Sequence, residues 1–217
     1  MKCLLSKRDT PLLQHFITEL LVLFMSKEIV LDIETQNTFQ EVGGYDHTKL
    51  LISVVGVYFY ETNEYKCYEE HELKELWPLL EHCDRIIGYN SIHFDMPVMN
   101  NYYPGDLLKL PQLDILKEIE KALGFRLKLD DVAEASIGHG KTGHGLQAVE
   151  WWRKGEKDKV KQYCLDDVRV TKEVYEYGLK YKALAYKDRL GVRKGIPVDF
   201  TVKQAVVPSK INLTMPF

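Results

Sequence analysis

Apolar positions along the chain alternate with two periods, and the period changes from segment to segment. Residues 27–35 read K-E-I-V-L-D-I-E-T, a β-branched and apolar run that predicts a buried strand. A polar, Gly-containing loop follows over 36–47. Residues 50–60 and 64–68 predict two more strands, joined by a hairpin turn at Thr62-Asn63. Leu73, Leu76, Leu79 and Leu80 recur at helical spacing and predict a helix over 71–80. A short strand is expected at 85–88, then helices at 113–123 and 129–137. A Gly-rich loop over 138–145 leads into helices at 146–153 and 157–180. The segment from 191 carries Pro197, Pro208 and Pro216 and reads as irregular, with one short strand. There is no internal repeat and no low-complexity tract. The order is that of an α/β protein with an antiparallel hairpin in its first half.

The first 24 residues stand apart. Residues 20–25 are strongly apolar, but Glu19 and His15 break the run upstream, so it is too short to span a bilayer. Lys2, Lys7 and Arg8 give the basic start of a signal peptide, yet no small-residue cleavage site precedes the strand at 27–35. A start at Met25 would begin M-S-K-E-I-V-L-D. The expected organisation is therefore an N-terminal extension over 1–26, spurious or disordered, ahead of one domain over 27–190 and a tail over 191–217. An amphipathic anchor helix is the second reading of the extension.

Composition changes this picture little. With 217 residues, 45% apolar and 28% charged, the chain has the material of one sizeable core in an ordinary soluble protein. The net charge of −3 gives no global sign of a polyanionic partner, but the charge is uneven. Residues 141–194 hold 14 Lys/Arg against 8 Asp/Glu. That stretch suits a polyanion held over an acidic cluster, and equally suits solvated helix faces. Cys3, Cys67, Cys83 and Cys164 form no CxxC pair, so a disulfide framework is not expected and a reducing, cytoplasmic setting fits. Cys67, His71, His82 and Cys83 lack the paired spacing of structural zinc.

The candidate chemistry lies in carboxylates at three places. Asp32 and Glu34 are two apart on a strand and so share a face. Close together they repel, and a divalent cation with its demand for oxygen ligands would relieve that. The alternative is that both lie past the strand end in solvent. Asp95, in N-S-I-H-F-D, falls at a strand-to-helix junction, where a helix N-cap is the competing role. Tyr163 and Asp167 are four apart on the late helix, in a stripe continued by Val170 and Val174, so that face turns inward. Asp166 is the rival for Asp167.

Asp-x-Glu on the first strand, Asn-x-x-x-Phe-Asp, and Tyr-x-x-x-Asp on a late helix together resemble the Tyr-type branch of the DEDD superfamily of 3′–5′ exonucleases. That branch includes polymerase proofreading domains. Stand-alone, ribonuclease-H-like members are the nearest in text, with L-D-I-L at 113–116 and G-K-T-G-H-G-L before the last helices. The resemblance covers about residues 27–186. It implies a ribonuclease-H-like, mixed five-stranded sheet flanked by helices. It implies that Asp32, Glu34, Asp95 and Asp167 bind two magnesium ions, with manganese as substitute, roughly 3.5–4 Å apart. Tyr163 would orient the attacking water, while Thr35 and Asn90 would touch the terminal nucleotide or order its loop. Phe94 would pack under Asp95. The implied substrate is a single-stranded 3′ end of DNA or RNA, with no membrane involved and any polymerase or helicase on a separate chain.

Gly140-Lys141-Thr142 invites a P-loop reading, but Ala135 stands where the pattern needs glycine, and the loop follows a helix rather than a strand. Lys141 is instead a candidate for substrate phosphate. Two other functions compete with the exonuclease. One is a non-catalytic nucleic-acid-binding module of the same fold, against which the full set of acids and the tyrosine argue. The other is a ribonuclease cutting internally, against which Tyr-x-x-x-Asp argues.

Overall fold

The computed structural model describes residues 27–140 and 145–201. The N-terminal extension, Lys141, His144 and the end of the tail lie outside them. A five-stranded sheet runs in the order β3-β2-β1-β4-β5, and the expected mixed sheet flanked by helices is the fold observed. β1 (Glu28–Thr35) sits at its centre, antiparallel to β2 (Ile52–Phe59) and parallel to β4 (Arg85–Gly88). β3 (Glu64–Glu69) extends the antiparallel side, and Asn63 takes a positive φ of 55° in the turn before it. β5 (Gln112–Asp114) extends the parallel side.

Alternation on β1 sorts the core. Ile29, Leu31 and Ile33 pack with Val55 and Val57 against α1 (Leu73–Glu81) and α2 (Asp95–Met99). Val30 faces the other side, where Tyr58 and Ile87 meet α3 (Ile115–Leu123), α4 (Leu129–Ile137) and α6 (Lys157–Tyr181). Asp32 and Glu34 share Val30's parity. They therefore stand on the face that α6 crosses, where apolar residues would otherwise continue the core. α5 (Gly145–Arg153) lies beside α6 and supplies Ala148 to a small cluster with Val54, Val160, Tyr163 and Cys164.

Two devices fix α6 on the sheet. At one end, Arg85 Nε and Nη2 donate to Glu28 Oε1 at 2.8 Å and Tyr175 Oη at 2.6 Å, and Tyr175 Oη donates to Glu28 Oε2 at 2.8 Å. All three side chains are buried, and the closed network leaves neither charge unpaired. At the other end, Glu69 on β3 takes Lys157 and Lys161 of α6, both at 2.7 Å.

The structure departs from the sequence reading in three places. The expected helix over 113–123 begins two residues late, because Leu113 and Asp114 belong to β5 and pair with Ile87 and Gly88. The helix expected over 71–80 opens with a 3-10 turn, Glu70–Glu72, held by a capping box between Glu69 and Glu72. After α6, β6 (Ala183–Lys187) and β7 (Arg193–Pro197) form a hairpin. A boundary at 190/191 falls in its turn, and the packed body continues to Phe200, whose buried ring stacks on Tyr175 at 5.8 Å. Among the described residues, no helix is long and apolar enough to cross a membrane.

Candidate active site

Each acid reaches the site for a local reason. Asp32 and Glu34 come from alternate positions of β1, whose pairing with β2 shifts register between Glu34 and Thr35, at the strand end where the site opens. Asp167 comes from the inward stripe of α6 and is buried. One oxygen from each of Asp32, Glu34 and Asp167 lies within 4.8 Å of the others. Among the described residues this is the one group of three or more acids, histidines or cysteines so close, and Cys67, His71, His82 and Cys83 do not form another.

Asp95 lies outside that trio but lines the same cleft, as do Thr35, Asn90 and Tyr163. Its competing role falls away, since Phe94 holds the cap position of α2 and Asp95 is the first helical residue, buried. Phe94 packs at the cleft wall, beside the apolar cluster of α1 and α2. Tyr163 is buried edge-on to Trp151, with ring centroids 6.1 Å apart. Asp166, one residue from Asp167, turns away: it accepts from Gln162 Nε2 at 3.3 Å and faces Arg169 at 3.7 Å. Thr35 donates its hydroxyl to the Asn37 carbonyl at 2.8 Å and so orders the loop beyond β1. His93 is exposed and faces His47 rather than the acids. His139 pairs with Glu173 at 3.0 Å.

Several residues that shape the site carry no motif. Gly56 is the β2 partner of Asp32. A Cβ there would sit 2.8 Å from Cys164 Sγ and 3.3 Å from the Cys164 carbonyl, so glycine is what lets α6 approach β1. The Gly56 N–H donates to Cys164 Sγ at 3.2 Å. Cys164 in turn lies 3.4 Å from the Asp32 carbonyl. Burial pushes the Cys164 thiol up, and its hydrogen bond to Cys67 holds the Cys67 thiol below its usual range.

Asp114 organises the opposite wall. Its carboxylate accepts from Asn90 N at 2.8 Å and Ile92 N at 3.1 Å, and caps α3 through Leu116 N at 3.0 Å. Asn90 holds a positive φ of 66° there, a conformation asparagine tolerates better than most residues. Its side-chain oxygen accepts from Arg126, an exposed residue between α3 and α4.

The donor set is all oxygen, from acids that repel one another at this spacing, two of the clustered three buried. It fits a hard divalent cation. Residues 29–178 match the family model described as RNase H superfamily. The chain belongs to the RNase H superfamily. Membership supports a nuclease-type hydrolase, and nucleases of that kind generally use divalent metals. No curated protein matches the chain. Among solved structures, it is similar to the family B DNA polymerase of the hyperthermophilic archaeon Pyrobaculum calidifontis, at 20% identity and a TM-score of 0.56. That match covers 71% of this chain and 24% of the polymerase. It is also similar to Trypanosoma brucei RNase D, at 16% identity and a TM-score of 0.50, covering 76% of this chain and 61% of that one. These two likenesses bear on the fold, and the chain spans less than two thirds of either protein.

Proposed function

We propose that this chain is a metal-dependent 3′–5′ exonuclease that removes nucleotides from single-stranded nucleic acid. The observation that carries the reading is the convergence of Asp32, Glu34 and Asp167 within 4.8 Å, in a cleft that Asp95 and Tyr163 also line. The four acids would hold two divalent ions, magnesium or manganese. Bound there, such ions would supply a nucleophilic water of lowered pKa and charge stabilisation for the leaving 3′-oxygen. Tyr163, which lines the cleft, would orient the attacking water through its hydroxyl. Asn90 and Thr35 frame the terminal nucleotide from either wall, and Lys141 is proposed to meet substrate phosphate.

End-directed cleavage is what the resemblance carried by Tyr163 and Asp167 implies, and the cleft they line, about 440 Å³, falls within the range of small-ligand sites. A time course on 5′-labelled single-stranded DNA and RNA, with magnesium or with chelator, tests the reading. A ladder shortening one nucleotide at a time from the 3′ end, abolished by chelator, is expected. Cleavage of a substrate with a blocked 3′ end would point to an internally cutting nuclease instead. Metal-independent binding without cleavage would point to a non-catalytic module.

A further inference from the structure

A chain of rings leads out of the cleft into solvent. Phe39 lines the cleft wall. Behind it, Phe94 lies edge-on at 5.9 Å and His47 edge-on at 5.1 Å. In front, Tyr45 stands with its centroid 4.9 Å from that of Phe39 and is 89% exposed. A lone exposed tyrosine calls for no explanation. This one ends an aromatic row whose other end, Phe94, lines the cleft that holds the acids.

The loop beneath Tyr45 is held, so its ring is presented rather than collapsed. Arg153 of α5 reaches across to Glu41 Oε1 at 2.5 Å, and Glu41 Oε2 accepts from Thr38 N at 2.9 Å. Asn37 pins the loop base through Lys49 O and Leu51 N, each at 2.9 Å. Asn101 donates to His47 O at 2.8 Å. Between these anchors Gly43 and Gly44 take φ of 82° and 149° with open space around them, and the chain turns outward there.

We propose that Tyr45, backed by Phe39, is a stacking platform for an unpaired base upstream of the nucleotide being removed. This rests on the exonuclease reading and deepens it, because it names what recognises the strand beyond its terminal residue. Rings offer every base the same π-face, so recognition here is sequence-tolerant and needs an unpaired base. Tyr45 carries no charge. It therefore adds affinity without adding to the salt dependence that phosphate contacts bring.

The test compares wild type with Tyr45→Ala, Tyr45→Phe and Tyr45→Trp. The probes are single-stranded oligothymidylates, the same strands with one abasic site at the second, third or fourth position from the 3′ end, and thymidine 5′-monophosphate p-nitrophenyl ester. The ester contains the scissile bond but no upstream base. Expected for Tyr45→Ala is a rise in KM of about 5- to 10-fold on oligothymidylate, at the low end for base stacking because the ring is so exposed. Unchanged kcat, unchanged ester hydrolysis and rescue by Phe and Trp should accompany it. An abasic site at one position should cost wild type the same factor and cost Tyr45→Ala nothing further. Unchanged KM, or equal losses on oligonucleotide and ester, would overturn the proposal. Should wild type hydrolyse neither substrate, the exonuclease reading fails separately. Fluorescence anisotropy of labelled oligothymidylate then decides the platform: weaker binding by Tyr45→Ala upholds it, and equal binding refutes it.

Discussion

Replacing Gly56 by alanine should slow the enzyme as well as destabilise it. The added Cβ would lie 2.8 Å from Cys164 Sγ, 3.1 Å from Val168 Cγ2 and 3.3 Å from the Cys164 carbonyl. A free thiol could rotate away. This one is buried, accepts the Gly56 N–H and lies against Asp32, and a helix carbonyl cannot rotate at all. α6 must therefore lift from β2, by several tenths of an ångström. Overpacking of this kind costs about 1–3 kcal/mol, from which roughly 0.4–1 kcal/mol is recovered by the stiffer unfolded chain. A net loss of about 1–2 kcal/mol lowers Tm by roughly 2–8 °C in a protein of this size. The catalytic loss adds to this. The lift separates Asp167 and Tyr163 from Asp32 and Glu34; where a misplacement near 1 Å costs about 10²-fold in rate, several tenths should cost on the order of 10-fold.

Gly178 is the control. It lies on the same helix, roughly 16 Å beyond Asp167 at 1.5 Å per residue. A Cβ there would fall 2.2 Å from Phe200 Cε2, a harsher clash than at Gly56, but with the C-terminal segment. Gly178→Ala should lower Tm at least as much while keeping kcat within about twofold, assayed well below its melting point. Thermal unfolding and kcat on one oligonucleotide, at saturating magnesium, measure both. Full kcat in Gly56→Ala, or equal losses of kcat in the two variants, would show that the approach of α6 to β1 does not govern the site.

Asp167→Asn should abolish cleavage, and Asp166→Asn should leave most of it, because Asp166 faces Gln162 and Arg169 instead of the cleft; turnover of both variants checks this. Tyr163→Phe should still bind metal, read as a magnesium-induced rise in Tm, and lose at most about 10²–10⁴-fold in kcat. Asp95→Asn should be inactive, yet in chelator melt at or above the wild-type temperature, since it relieves repulsion among the acids; full activity would reduce Asp95 to a structural residue. Glu69 is held down to about 2 by its hydrogen bonds to Lys157 and Lys161. A depressed folded-state pKa contributes stability above the unfolded value near 4.5 and loses it as pH falls through about 2. Glu69→Gln should therefore melt lower than wild type at pH 7, by about 1 kcal/mol at most given the half-exposed lysine partner, and the gap should close between pH 4.5 and 2. A gap independent of pH would assign the loss to packing.

The acids were legible because the rules that place them are local. Two-residue alternation puts Asp32 with Glu34, and four-residue spacing in an apolar stripe separates Asp167 from Asp166. Asp95 and its strand-to-helix junction followed from the short apolar run before it. The framework that brings the acids together is not local. Gly56 meets Cys164 across 108 positions and Asn90 meets Asp114 across 24, and neither contact leaves a period in the sequence. β5 has three residues, too few to show alternation, and it becomes a strand only by pairing with β4. Leu113 and Asp114 read equally well as the start of the helix that follows, so nothing local marks Asp114 as the residue that holds the Asn90 loop. β6 was hidden in the same way, behind a long helix and ahead of a Pro-containing segment, its partner β7 lying across a turn. Changes at the motif acids therefore test the chemistry. Changes at Gly56 and Asp114, which touch no substrate in the proposed mechanism, test whether this fold assembles the site in the way its long-range contacts require.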